Sequence, residues 1–205
     1  MRYCSFLIIA GISFCSSGCF STVDSNSGEL AESKPAGAHS AESTFSQAIQ
    51  QETRGRYVNA VKLFSIVVAA TDSVELFRKA NLGKARCLML DGKNKLALAA
   101  LAPLPETPRQ LYDARRLVLA ARILCAMNRC QNAEPLLEVA LDKDYKTPQQ
   151  KLLKAQAFAF LGKVYLKNRK SQPASVVFAH AAKLYIECGY PDKAKTCMEI
   201  NRYLQ

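Results

Sequence analysis

From Ser43 onward, apolar and small residues recur with helical spacing, broken at intervals by short polar or glycine-bearing turns. Gly55-x-Tyr57-x-x-Ala60-x-x-x-Phe64-x-x-Val67 is one unit. The same spacing returns in Gly92 to Ala97 with Leu101 and Leu104, in Asn128 to Ala133 with Leu137 and Ala140, and in Ala174-x-x-x-Phe178-x-x-Ala181. Ala60, Ala97, Ala133 and Ala174 are separated by 37, 36 and 41 residues. A period of that size predicts a stacked repeat rather than a single bundle. A second small residue stands twelve positions before each alanine: Ala48, Ala85, Ala121 and Gly162. That distance lets a small residue on one helix face a small residue on the next across a tight turn, so that the two backbones approach closely.

Helix punctuation agrees with this period. Thr107-Pro108-Arg109-Gln110 and Thr147-Pro148-Gln149-Gln150 are two copies of one helix start. Thr caps, Pro suits the first helical position, and Gln three residues on closes a capping box. Asp72 or Ser73 opens the helix running to Leu90, and Pro103, Pro105 and Pro108 break the chain before the third unit. Gly189-Tyr190-Pro191 ends one helix and starts a last one, Pro191 to Leu204, which places Ala194, Cys197, Met198 and Ile200 on its apolar side. The pattern predicts nine helices.

Phe158-x-x-Leu161-Gly162-x-x-Tyr165, followed by Ala174, Phe178 and Ala181, resembles the tetratricopeptide repeat. Phe158 replaces the family's usual Trp, and Arg169 stands where Gly is common. The other three copies keep the small and large apolar positions and lose the aromatic ones. The resemblance covers residues 43–205 and implies an all-α, right-handed α-solenoid of about four helical hairpins plus a C-terminal capping helix.

The first 42 residues follow another pattern. Arg2 precedes an apolar run from Cys4 to Cys15, which is shorter than the about twenty residues a membrane-spanning helix needs and fits the core of a secretory signal. Ser16-Ser17-Gly18-Cys19 then resembles a bacterial lipobox, with Ser16 where Leu is usual. The resemblance implies that residues 1–18 are a lipoprotein signal peptide and that Cys19 is lipidated; the simpler alternative is a plain signal cut near Gly18. Residues 19–42 are rich in Ser, Gly, Ala and acids without period, which predicts a flexible tether. Phe20 rather than Asp after the cysteine favours, by the same resemblance, the outer membrane of a two-membrane bacterium, facing the periplasm.

Composition narrows the function class. Half of the 205 residues are apolar (49%) and 22% are charged, so a core can form, and the absence of Trp with only 9 Gly and 8 Pro fits a helical chain. The motifs HExxH, GxxxxGK[ST] and GxSxG are absent. His39 falls in the tether and His180 in the fourth unit, and the carboxylates form no isolated apolar pair for acid–base work. The expectation is a protein that is not an enzyme and carries neither cofactor nor metal. Cys87, Cys125, Cys130, Cys188 and Cys197 read as small buried packing residues. The alternative is a disulfide in one hairpin, although neither Cys125–Cys130 nor Cys188–Cys197 lies directly across its turn.

The net charge of +11 falls on the repeats, since the tether is slightly acidic. In the family's geometry, the first helix of each hairpin lines a concave groove. Positions six before and one after Ala85, Ala121 and Gly162 then face it: Lys79 and Arg86, Arg115 and Arg122, Gln156 and Lys163, with Lys167 one turn on. Seven residues is two helical turns, so each pair stacks on one face. Leu82, Met89, Val118 and Leu166 supply the apolar residues between the cations. The expectation is a lipid-anchored periplasmic scaffold that takes a protein or acidic peptide in this basic groove, in envelope assembly or secretion. The competing readings are a binder of anionic envelope polymer or lipid headgroups, a non-exported secretion-chaperone-like module, and a solvated basic face with no ligand. Nucleic acid is not an expected partner, since export removes it and no aromatic stacking platform is visible.

Overall fold

A computed structural model describes residues 40–102 and 110–204. The signal segment, Cys19, nearly all of the tether, Leu104 and the Thr107 helix start lie outside the described residues.

Among the described residues there are nine helices and no strand: α1 (Ala41–Thr53), α2 (Tyr57–Ala70), α3 (Val74–Leu90), α4 (Asn94–Leu101), α5 (Gln110–Ala126), α6 (Cys130–Leu141), α7 (Pro148–Lys167), α8 (Ser171–Glu187) and α9 (Pro191–Leu204). None is long and apolar enough to cross a membrane. The chain thus forms an all-α helical repeat. The first helix begins at Ala41, so Ala41 and Glu42 belong to it and not to the tether. The reason is local: the Ser40 side chain accepts a hydrogen bond from Ser43 N at 3.2 Å and caps the helix. Ser73, rather than Asp72, caps α3, accepting from Leu76 N at 3.3 Å. At α7 the expected capping box is complete. Thr147 Oγ1 accepts from Gln150 N at 3.3 Å, and Gln150 Oε1 accepts from Thr147 N at 2.9 Å.

Five turns share one stereochemistry. The residue at the turn takes a positive φ at Gly55, Gly92, Asn128, Arg169 and Gly189, between 60° and 78°. The next backbone N–H then reaches five residues back: Arg56 to Gln51, Lys93 to Leu88, Arg129 to Leu124, Lys170 to Tyr165 and Tyr190 to Tyr185. This is the Schellman closure, in which the left-handed residue lets the chain reverse while the last carbonyls stay satisfied. Four of these turns join the two helices of a hairpin. The fifth joins α8 to α9, so α8 serves two crossings. Ala182 and Ala194, again twelve residues apart, are 3% and 1% exposed there. The closing helix is therefore held like the second arm of a further hairpin. Met198, expected on its apolar side, points outward at 47% exposure, while Ala194 and Cys197 are buried.

The predicted small residues mark the close crossings: Ala48, Ala60, Ala85, Ala97, Ala121, Ala133 and Ala174 are all fully buried, as is Gly162 within α7. Phe178 fills the space over Gly162, and Phe64 fills the space over Gly83 in the next unit. Each apolar cluster bridges neighbouring units. The one formed by Leu82, Ala85, Ala97, Leu101, Leu119 and Ile123 ties α3 and α4 to α5, for example. With the core laid out in series, the odd-numbered helices α1, α3, α5 and α7 follow one another along one side of the repeat.

Candidate functional site

Those four helices wall a single open cavity of about 360 Å³. Lys79, Leu82 and Arg86 come from α3, and Arg115, Val118, Leu119 and Arg122 from α5. Phe45 and Ile49 of α1 close one end, and Leu153 and Gln156 of α7 the other. The seven-residue offset explains the arrangement. Residues two turns apart stand about 10.5 Å apart along the helix axis, on the same side. Arg115 and Arg122 thus bracket Val118, and Lys79 and Arg86 bracket Leu82.

Of the residues expected in a groove, Lys79, Leu82, Arg86, Arg115, Val118 and Arg122 are brought together here. Met89, Lys163, Leu166 and Lys167 are not. Met89 packs beside the α3–α5 core and Leu166 beside the α7–α9 core. Only the N-terminal half of α7 reaches the cavity, so uncharged Gln156 stands on its wall while Lys163 lies two turns beyond. Lys163 sits near enough to α9 to oppose the burial that raises the Cys197 thiol. Lys167 lies on a different, polar concavity with Asn128, Arg129, Cys130 and Asn168.

The charges are also less free than their spacing suggests. The Arg86 guanidinium is gripped by Glu52 of α1: Nε donates to Oε1, and Nη2 donates to Oε2 at 2.5 Å. This hydrogen bond, against the opposing effect of burial, raises the Arg86 pKa above its ordinary value. Lys79 is paired one turn back with Glu75 at 2.8 Å. Arg115 and Arg122 are both solvent-exposed, and no acid among the described residues pairs with either. The unbalanced positive charge of the cavity therefore comes from α5. Beneath it the Cys87 thiol, pushed up to about 12 by burial first and by the Glu52 charge second, stays neutral as a packing group.

Phe45, Ile49 and Glu52 were not among the expected site residues. One signal was available. The offset of one residue after the small position, applied to Ala48, gives Ile49. Glu52 had none, because its partner lies 34 residues away on another helix. His180 is exposed and stacks on Phe158, with ring centroids 5.4 Å apart. No group of three or more His, Cys, Asp or Glu suited to a metal occurs among the described residues.

The fold is that of the tetratricopeptide-type helical repeats. A crystal structure of a Podosopora anserina kinesin light chain with TPR-like repeats superimposes with a TM-score of 0.56 at 20% identity, covering 80% of this chain and 93% of that one. BtubC (BKLC) from P. vanneervenii superimposes at 0.57, with 15% identity over 80% of this chain and 78% of its own. MamA gives 0.53, with 15% identity over 80% and 91%. No protein-family model and no curated protein matches the sequence.

Proposed function

We propose that this protein is a lipid-anchored scaffold of the bacterial cell envelope, which works by binding and not by catalysis, and whose concave cavity takes an acidic segment of a partner protein. The observation that carries this reading is the α5 face. Arg115 and Arg122 stand two turns apart around Val118, with no acidic partner among the described residues, on the wall of a cavity whose floor is apolar. A partner presenting two carboxylates about 10 Å apart with an apolar side chain between them matches that face in charge and shape. An exposed ion pair contributes only about 0–1 kcal/mol and is screened over roughly 8–10 Å, so affinity rests on apolar contact with Phe45, Ile49, Leu82 and Val118. The Ser16-Ser17-Gly18-Cys19 pattern supports the anchor, and Phe20 supports the outer membrane and the periplasmic side.

Two variants test the reading. Arg115→Glu with Arg122→Glu is compared with a control reversal of the exposed Lys183 and Lys195 in crosslinked capture from envelope fractions. Capture of a protein partner falls in the first and persists in the second, with both chains showing the same helical circular dichroism. Equal loss in both would reduce the surface to general basic adhesion, and capture of polymer alone would favour the anionic-polymer reading. For the anchor, Cys19→Ser abolishes fatty-acid labelling and releases the protein from membranes. A parent chain that never takes up label refutes the lipidation.

A further inference from the structure

We infer that Cys125 and Cys130 are an oxidisable thiol pair, which closes to a disulfide across the α5–α6 turn when an external disulfide reaches Cys130. Their sequence positions alone argue against it, since they stand five positions apart and neither is directly opposite the other. The Schellman closure changes the geometry. Asn128 takes φ +61°, its N–H donates to Cys125 O at 3.1 Å, and Arg129 N–H donates to Leu124 O at 2.8 Å. The chain doubles back so tightly that Cys130 Sγ stands 4.0 Å from Cys125 O. Both side chains also belong to the same buried cluster. The other candidate pair differs. Cys188 Sγ turns toward Pro148 O at 3.8 Å, and Cys197 is buried in the α8–α9 core.

Cys130 and Cys125 are almost equally buried, at 7% and 8% exposure, but Cys130 lines the polar concavity of about 630 Å³ shared with Arg129 and Lys167 and Cys125 does not. Burial first, and the neighbouring Cys130 second, push the Cys125 thiol up to about 12. Cys125 therefore stays a thiol until the mixed disulfide has formed beside it, and enters the exchange second. Cys130 is also the first residue of α6, and the positive end of that helix adds to Arg129 and Lys167 in drawing an anionic disulfide such as glutathione disulfide. The chemistry is thiol–disulfide exchange. The Cys130 thiol gives its proton to solvent and the thiolate attacks one sulfur of the external disulfide. That bond breaks, and one thiol leaves with a proton. Cys125, deprotonated in turn, attacks Sγ of Cys130 in the mixed disulfide and expels the second thiol. Two protein thiols are oxidised and one external disulfide is reduced to two thiols.

The test uses the full folded chain and glutathione disulfide, followed by acid quench, alkylation with N-ethylmaleimide and tryptic mass mapping. Trypsin cuts after Arg129, between the two cysteines, so the disulfide holds Ile123–Arg129 and Cys130–Lys143 together as one species. That species is expected, shifts to two peptides on adding dithiothreitol, and is absent in Cys125→Ser, where Cys130 keeps the glutathione. The wild-type result decides by itself should the variant fail to fold. Alkylated, unlinked Cys125 and Cys130 after an exposure that fully oxidises the urea-unfolded chain overturns the inference. So does a stable glutathione adduct on Cys130 beside an alkylated Cys125, or linkage of Cys130 to Cys188 or Cys197.

Discussion

Glu52 on α1 holds Arg86 on α3 through both carboxylate oxygens, across 34 residues of sequence. The pair ties α1 to α3 and neutralises one of the four cations on the cavity wall. The carboxylate side chain is 12% exposed and the guanidinium 43%, so water screens one partner much more than the other. Replacing Glu52 by Gln removes the charge and keeps the shape. The expected loss is about 1 kcal/mol, at the upper end for pairs with an exposed partner. Urea unfolding at low and high salt measures it, and the difference between Glu52→Gln and wild type should shrink as salt rises. A salt-independent difference would show that packing, not charge, holds the contact.

Arg169 occupies the left-handed turn position that glycine fills at three of the other four turns, with φ +60°. A β-carbon in that conformation costs roughly 1–2 kcal/mol, part of which glycine gives back through its larger unfolded-state entropy. Arg169→Gly is therefore expected to stabilise the protein by about 0.5–1 kcal/mol. Asn128→Gly should gain less, since asparagine tolerates this region better. Melting temperatures of the two variants check both the sign and the order.

Gly162 leaves room for a ring. A β-carbon placed there would lie 2.7 Å from Cε2 and Cζ of Phe178, which is 1% exposed and has nowhere to move. Gly162→Ala should cost about 1–3 kcal/mol as overpacking. Pairing it with Phe178→Leu should recover part of that loss, because the smaller side chain vacates the space. Additive losses in the double variant would mean that the two positions do not share a contact.

Alkaline pH should unfold the chain through its buried weak acids. Burial pushes Cys87 and Cys125 up to about 12 from 9.0, and Tyr145 and Tyr185 up to about 12 from 10.0. In each case the folded state holds the proton more firmly than the unfolded state. The stabilisation is thus whole below the unfolded values and is lost as pH rises through the folded ones. Stability should be level to about pH 9 and fall from there to pH 12. Thermal melts in steps across that range test it. Tyr145→Phe is expected to soften the decline above pH 10, although it also removes the hydrogen bond that Tyr145 donates to the Ala140 carbonyl.

The chain's own sequence determined the parts that depend on local registry. The twelve-residue spacing of Ala48–Ala60, Ala85–Ala97, Ala121–Ala133 and Gly162–Ala174 is the spacing of small residues across one tight turn, so it named the helix crossings. Thr147 and Gln150 named a helix start, because a capping box is closed within four residues. Tertiary structure decided what depends on how one unit is rotated against the next. The rotation carries Glu52 onto Arg86 and leaves Arg115 and Arg122 without an acidic partner among the described residues. It stops the cavity at Gln156, so Lys163 and Lys167, in register with the other cations by sequence, lie outside it. A helical repeat fixes which face a residue occupies; the accumulated turn between units fixes which faces meet, and that sum over many contacts is written in no single spacing.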